Sequence, residues 1–310
     1  MKNRAHSLLK TDFRRNWVLY AMFLPVAAYF LVFYYAPMVG VSIAFQKFNM
    51  RRGIFGSDWV GFDNFATLFS GDTFPLVMRN TSVIALLNLT VGFVVPIILA
   101  IVFSELRDSA KAYKRTVQTI SYMPFFVAAV VTTSLVKEFL GASGGLTKIL
   151  SFFGLEQQNW LANPKPPVFW IIMCATEIWQ GMGYGAIVYV AAIASINGDL
   201  FEAAAIDGAN RWKRLWRITL PSITPLIIMM LTLKAGTVLM TGFDKALLLY
   251  MPKTYDVSDV LYTYTYRMAF SAQADYGLSA ASGLFQSAIN TTLLLASNYI
   301  SRKVAKTSLF

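Results

Sequence analysis

Six apolar runs, each close to twenty residues, limit what this chain can fold into. They fall roughly at 17–39, 81–104, 117–139, 168–194, 222–243 and 278–300. About 20 apolar residues in a helix cover the hydrocarbon thickness of a bilayer. Backbone polar groups inside lipid must be satisfied within their own segment, so such runs form helices. The pattern predicts an all-α integral membrane protein with six transmembrane helices. Of the 310 residues, 56% are hydrophobic and only 14% charged, against about 25% charged in soluble domains. The expected organisation is a tail over 1–16, a six-span transmembrane domain over 17–300 containing a polar loop at 197–221, and a tail over 301–310. The first run is longer than the apolar core of a signal peptide and no small-residue cleavage site follows it, so it reads as a retained anchor.

An even number of spans puts both tails on one side. On that side fall Lys2, Arg4, Lys10, Arg14 and Arg15; Arg107, Lys111, Lys114 and Arg115; Arg211, Lys213, Arg214 and Arg217; and Arg302, Lys303 and Lys306. The opposite connections are longer and carry fewer: Lys47, Arg51, Arg52 and Arg79, then Lys148 and Lys165, then Lys245, Lys253 and Arg267. Basic residues collect on the cytoplasmic side. Both termini and the 197–221 loop are therefore expected there. The formal net charge of +11 follows from this flanking pattern and needs no nucleic-acid partner.

The loop has a grammar of its own. Leu200, Phe201, Ala203, Ala204 and Ile206 form a short apolar helix face. Asp207-Gly208 ends it, since glycine accepts the left-handed geometry of a helix terminus. A second helix follows with Trp212, Leu215 and Trp216 at helical spacing, and Ile218-x-Leu220-Pro221 opens the next apolar run. Glu202-Ala203-Ala204, then Gly208, then Ile218-x-Leu220-Pro221 resembles, position by position, the EAA loop of ABC importer permeases. The resemblance implies a cytoplasmic helix-turn-helix between spans four and five that docks on a separate ATPase subunit. Glu202, Ala203, Ala204, Asp207, Gly208, Trp212, Leu220 and Pro221 would carry that ATPase coupling: Gly208 keeps the turn, Glu202 and Asp207 fix polar contacts, and Trp212 packs.

Chemistry of other kinds is missing from the sequence. No GxxxxGK[ST] phosphate loop, GxSxG or HExxH occurs, and a single Cys (Cys174) and a single His (His6) build neither a disulfide framework nor a metal cluster. Neither catalytic nor metal-binding residues are expected, and Cys174, within an apolar run, is expected in the core. What remains are polar groups at membrane depth, which are costly in lipid and face a partner or a water-filled path. Glu177, Gln180 and Tyr184 share one helix face, with Trp179 beside them; Lys234, Thr241 and Asp244 lie in or near span five. Two readings stay open here, a structural Glu177–Lys234 ion pair and a substrate path. Pro25, Pro96 and Pro225 predict kinks, and Gly181, Gly183, Gly185 and Ala186 predict close helix approach. No broken span is expected.

The resemblance extends along nearly the whole chain. Gly61-Phe62-Asp63-Asn64-Phe65, Arg79-Asn80-Thr81 and Ile178-Trp179-Gln180-Gly181-Met182-Gly183-Tyr184 are similar to carbohydrate importer permeases of the maltose-transporter type. Tyr255-Asp256-Val257-Ser258-Asp259-Val260 and Gly283-Leu284-Phe285-Gln286 resemble the branch that handles complex oligosaccharides and polysaccharide fragments. Tyr250-Met251-Pro252 stands where that type usually has Gly-Gly-Pro. The resemblance implies a permease subunit that is not itself an enzyme and holds no cofactor, ATP and Mg residing on the ATPase. Its partners would be a second homologous permease, two ATPase copies, an extracytoplasmic solute-binding protein and lipid, in a bacterial plasma membrane. Substrate-path residues carried over are Glu177, Gln180, Gly181, Tyr184, Thr241 and Asp244. The alternatives are the same architecture importing another polar solute such as glycerol phosphate, or an ion-driven secondary transporter, which would need inverted repeats and broken spans.

Overall fold

The computed structural model describes residues 2–106, 111–240 and 242–305. Helix α1 (Lys2–Phe30) continues through a π turn at Leu31–Tyr35 and a 3-10 run at Ala36–Phe45. Together Arg15–Phe45 is long and apolar enough to cross a membrane, and none of its most apolar stretch is buried within the chain. A short hairpin follows, β1 (Gln46–Lys47) pairing antiparallel with β2 (Asp58–Trp59). Next comes α2 (Asp63–Ser70). The Gly61–Phe65 stretch has a bracing role here. Asn64 Nδ2 donates to the carbonyls of Ala44 (2.9 Å) and Gln46 (3.0 Å). Gly277 presses on the same spot, where a Cβ would meet both Asn64 and Gln46 at 2.8 Å.

Helix α3 (Thr73–Glu105) starts eight residues before the expected 81. Its polar first turns do not end the helix because they have partners elsewhere. Asn80 Nδ2 donates to the carbonyls of Asp256 (3.1 Å) and Asp259 (2.9 Å), and Thr81 Oγ1 accepts from the Leu261 amide at 2.8 Å.

The third apolar run is not one helix. α4 (Lys111–Tyr122) passes into a 3-10 turn at Met123–Phe126, and α5 (Ala129–Leu140) leaves it at an angle of 100°. The expected continuous span at 117–139, and the expectation of no broken span, are corrected by this break. Its cause is local: Pro124 has no amide hydrogen to continue the ladder, and Val127 and Ala128 are extended at ψ 127° and 146°. α6 (Gly145–Phe152) follows.

Helix α7 (Pro166–Ala194) then meets α8 (Gly198–Ile206) at 68°. α9 (Arg211–Arg214) runs through a π turn at Leu215–Thr219 into α10 (Leu220–Ala235). The fifth apolar run thus ends at Ala235 rather than 243. A 3-10 turn at Val238–Met240 and Gly242, at φ 78°, redirect the chain into α11 (Phe243–Leu249). α12 (Leu261–Phe270) and α13 (Tyr276–Ala305) complete the fold. Among the described residues, three helices are long and apolar enough to cross a membrane, or up to five if each bent pair is one span. α13 contains the expected 278–300 run but is less apolar, because Ser282, Gln286, Asn290, Asn298 and Ser301 are buried along it.

Helices α3 and α7 share the most extensive contact in the molecule. Ala100 and Ala186 are wholly buried between them, and Ile97 and Tyr189 join Leu226 and Ile227 of α10 in one core. Gly183 lets the end of α4 approach α7: a Cβ there would overlap the Ser121 carbonyl. Gly185 likewise sits against Pro96. A second core joins Ile84, Phe169 and Met173 to Ala246 and Leu249 of α11. Cys174 is buried in α7, as expected.

Candidate functional site

Glu177, Gln180 and Gly181 on α7 and Asp244 on α11 line one cleft of about 510 Å³. Phe125, Phe243, Lys245 and Tyr262 complete its wall. Tyr184 faces a neighbouring cavity of about 280 Å³, which Asn88 and Lys234 also line. Glu177 and Gly181 border both spaces. Thr241 lies outside the described residues. Trp179 faces away, toward an apolar cleft with Phe139 and Trp160.

The polar face of α7 holds the broken span in place. Gln180 Nε2 donates to the Val127 carbonyl at 2.6 Å, satisfying an acceptor that the break leaves without a helical partner. Tyr184 stacks on Phe125 with centroids 3.8 Å apart and planes within 5°. The two side chains clamp Phe125, just before the break, and Val127, within it, to α7.

Glu177 pairs with Lys245 rather than Lys234. Lys245 Nζ lies 2.5 Å from Glu177 Oε1, and the side chains are 11% and 21% exposed. The left-handed turn at Gly242 makes the pair possible by bringing the first turn of α11 back against α7. A Cβ at Gly242 would touch the Met173 methyl at 3.0 Å. Sequence reasoning missed Lys245, Phe243, Tyr262 and Phe125. Gly242, ahead of the Asp244-Lys245 pair, is the one local signal that could have drawn attention to that turn.

A second polar network braces the connection after α11. Asp259 is 1% exposed and binds Arg267 Nη2 at 2.5 Å. Thr263 Oγ1 donates to Asp259 at 2.6 Å and accepts from the Val260 amide. The Arg267 guanidinium sits over the Tyr255 ring at 4.8 Å. Burial pulls the Arg267 pKa down, but the Asp259 carboxylate more than offsets this and holds it above its ordinary value.

The stretch 198–221 forms a helix-turn-helix. Asn197 caps α8 by accepting from the Asp199 amide. Its far end closes with Ala209 N–H donating to the Ala204 carbonyl (2.8 Å) and Gly208 N–H to Ala205 (3.1 Å). This double closure needs a left-handed residue after the helix, and Gly208 supplies it at φ 70°. Asn210 caps α9 by accepting from the Lys213 amide at 2.9 Å. Glu202, Ala203, Asp207 and Gly208 are exposed, Ala204 and Leu220 half-buried, and Pro221 opens α10 exposed. Trp212, expected to pack, is 69% exposed, with Trp216 at 66% and Ile206 at 87%.

A model of the family described as "Binding-protein-dependent transport system inner membrane component" matches residues 92–306. The chain is 38% identical to the polygalacturonan/rhamnogalacturonan transport system permease protein YteP of Bacillus subtilis (strain 168), over 94% of this chain and 90% of that protein. It is 37% identical to protein LplB of the same organism, over 96% and 92%. Among solved structures it resembles a bacterial ABC transporter involved in the import of the acidic polysaccharide alginate. The TM-score is 0.87 and the identity 39%, over 96% of this chain and 99% of that one. A bacterial alginate ABC transporter in complex with an alginate pentasaccharide-bound periplasmic protein gives a TM-score of 0.88 at 38% identity, over 96% of this chain and 99% of that one. These relatives are transport components rather than enzymes, and this chain is a permease subunit of the same kind, a member of the binding-protein-dependent transport system inner membrane component family.

Proposed function

We propose that this chain is one of two different membrane subunits of an ATP-driven importer that takes up oligosaccharides or polysaccharide fragments from an extracytoplasmic binding protein. The carrying observation is the helix-turn-helix. It presents Ile206, Trp212 and Trp216 to solvent around a glycine whose missing side chain points into open space, with no atom within 4 Å. Exposed large apolar side chains grouped on one polar-rimmed unit mark a protein-binding surface. Two copies of an ATPase subunit would supply the occupants and hold ATP and Mg, with no cofactor on this chain.

In this reading the chain has six spans, α13 being the sixth, and both termini lie in the cytoplasm. The connections of the loop support coupling. α8 joins α7 directly, and α9 joins α10 through the π turn at Leu215–Thr219. Rigid-body movement of the loop would shift α7, which carries Glu177, Gln180, Gly181 and Tyr184 on the substrate path. It would also shift α10 and, through the turn at Gly242, Asp244. The cargo class is acidic. Similarity to a permease of a polygalacturonan/rhamnogalacturonan transport system and to an alginate importer supports this.

Proteoliposomes carrying the complete importer test the function. We expect a labelled oligouronide to accumulate only with ATP on the ATPase side and binding protein on the other. Accumulation driven by a proton or sodium gradient without ATP would contradict it.

A further inference from the structure

Lys245 is held in place more firmly than its charge alone would require. Its helix, α11, is anchored by Ala246 and Leu249, both wholly buried, and begins at the left-handed turn of Gly242. The ammonium carries three N–H donors, and among the described residues Glu177 accepts one of them. It lines the cleft with Asp244 and the aromatic Phe243, Tyr262 and Phe125, and among the described residues it is the one cation in that lining. Glu177 also borders the second cavity, where Lys234 offers it another cation.

We propose that Lys245 recognises a carboxylate of the cargo, and that Glu177 is its resting counter-ion, displaced when a uronic-acid residue arrives. The assignment rests on the acidic-cargo reading above. Removing one partner of a buried ion pair strands a charge, whereas exchanging one carboxylate for another does not. An acidic sugar can therefore open the Glu177–Lys245 pair by substitution, with Glu177 turning toward Lys234. A neutral sugar brings no replacing anion, so the pair stays closed against it. Lys245 thereby sets specificity, a role separate from clamping the broken span, which Gln180 and Tyr184 perform.

A purely structural pair makes a different prediction. Replacing both members by neutral residues together leaves no stranded charge and would be tolerated. The test is uptake of a labelled uronic-acid pentasaccharide by proteoliposomes of the complete importer with its binding protein, at equal amounts of assembled complex. We expect Glu177→Gln/Lys245→Gln to lose at least tenfold in uptake, and Lys245→Arg to stay within about threefold of wild type. Wild-type uptake by the double variant would overturn the assignment. Should the double variant not assemble, Lys245→Gln alone decides at equal amounts of assembled complex: a KM for the acidic pentasaccharide at least tenfold above wild type is expected, and a wild-type KM overturns the assignment. Wild-type proteoliposomes that import the carboxyl-reduced pentasaccharide but not the acidic one would overturn the cargo reading itself, and the assignment with it.

Discussion

In the helix-turn-helix, every bond that shapes the turn is short in sequence. Ala209 reaches Ala204, Gly208 reaches Ala205, and the caps of Asn197 and Asn210 act two and three residues ahead. In the polar cleft, the deciding contacts are long. Gln180 and Val127 are 53 residues apart, and Lys245 and Glu177 are 68 apart. The first region is specified by residue types at fixed offsets and keeps its outer surface free. The second exists only after α4, α5, α7 and α11 have packed. The loop can therefore serve as a preformed handle, whereas the cleft changes shape whenever its helices move.

Three substitutions sharpen this contrast. The largest effect is expected for Gly183→Ala. Its Cβ would overlap the Ser121 backbone, which cannot withdraw as a flexible side chain would, so α7 and the end of α4 must separate. We expect little or no assembled protein in the membrane fraction; normal assembly would mean that the α4–α7 contact is not needed. Next is Gly208→Asp. No atom lies within 4 Å of its Cβ position, and the left-handed backbone costs a non-glycine residue only about 1–2 kcal/mol. Membrane levels should therefore persist while uptake falls at least tenfold with ATP hydrolysis continuing. Wild-type uptake would remove the loop from coupling. The smallest effect is Gln180→Leu, which leaves the Val127 carbonyl without its partner at a cost of about 1–3 kcal/mol. A Tm lower by several degrees in detergent is expected, and an unchanged Tm would show that another group takes over that carbonyl.

The same contrast explains what the sequence could convey. The Asp207-Gly208 turn, the apolar runs and the burial of Cys174 were legible because local rules govern them. The start of α3 was misplaced because the partners of Asn80 and Thr81 lie near residue 260, far away in the chain. The break in the third span was hidden for a related reason. Pro124 was not among the prolines expected to kink a span, and an extended pair at 127–128 is tolerable only because Gln180 satisfies the carbonyl. Glu177 was recognised as a charge needing a partner, and Lys234 was the nearest candidate by span. Lys245 replaced it because Gly242 turns the chain back after α10, a geometry that no periodicity reveals. Of the expected path, Glu177, Gln180, Gly181 and Asp244 do share one cleft; its aromatic wall, Phe125, Phe243 and Tyr262, carried no mark in the sequence.

The central claim is that the 202–221 loop is the seat of an ATPase subunit. The most direct measurement is purification of the chain from native membranes in mild detergent, with a cross-linkable cysteine at exposed Ala203, followed by identification of what accompanies it. The account predicts an ATPase joined through that residue, together with a second permease subunit. Absence of any ATPase, even with nucleotide present and the cross-linker attached, would contradict it.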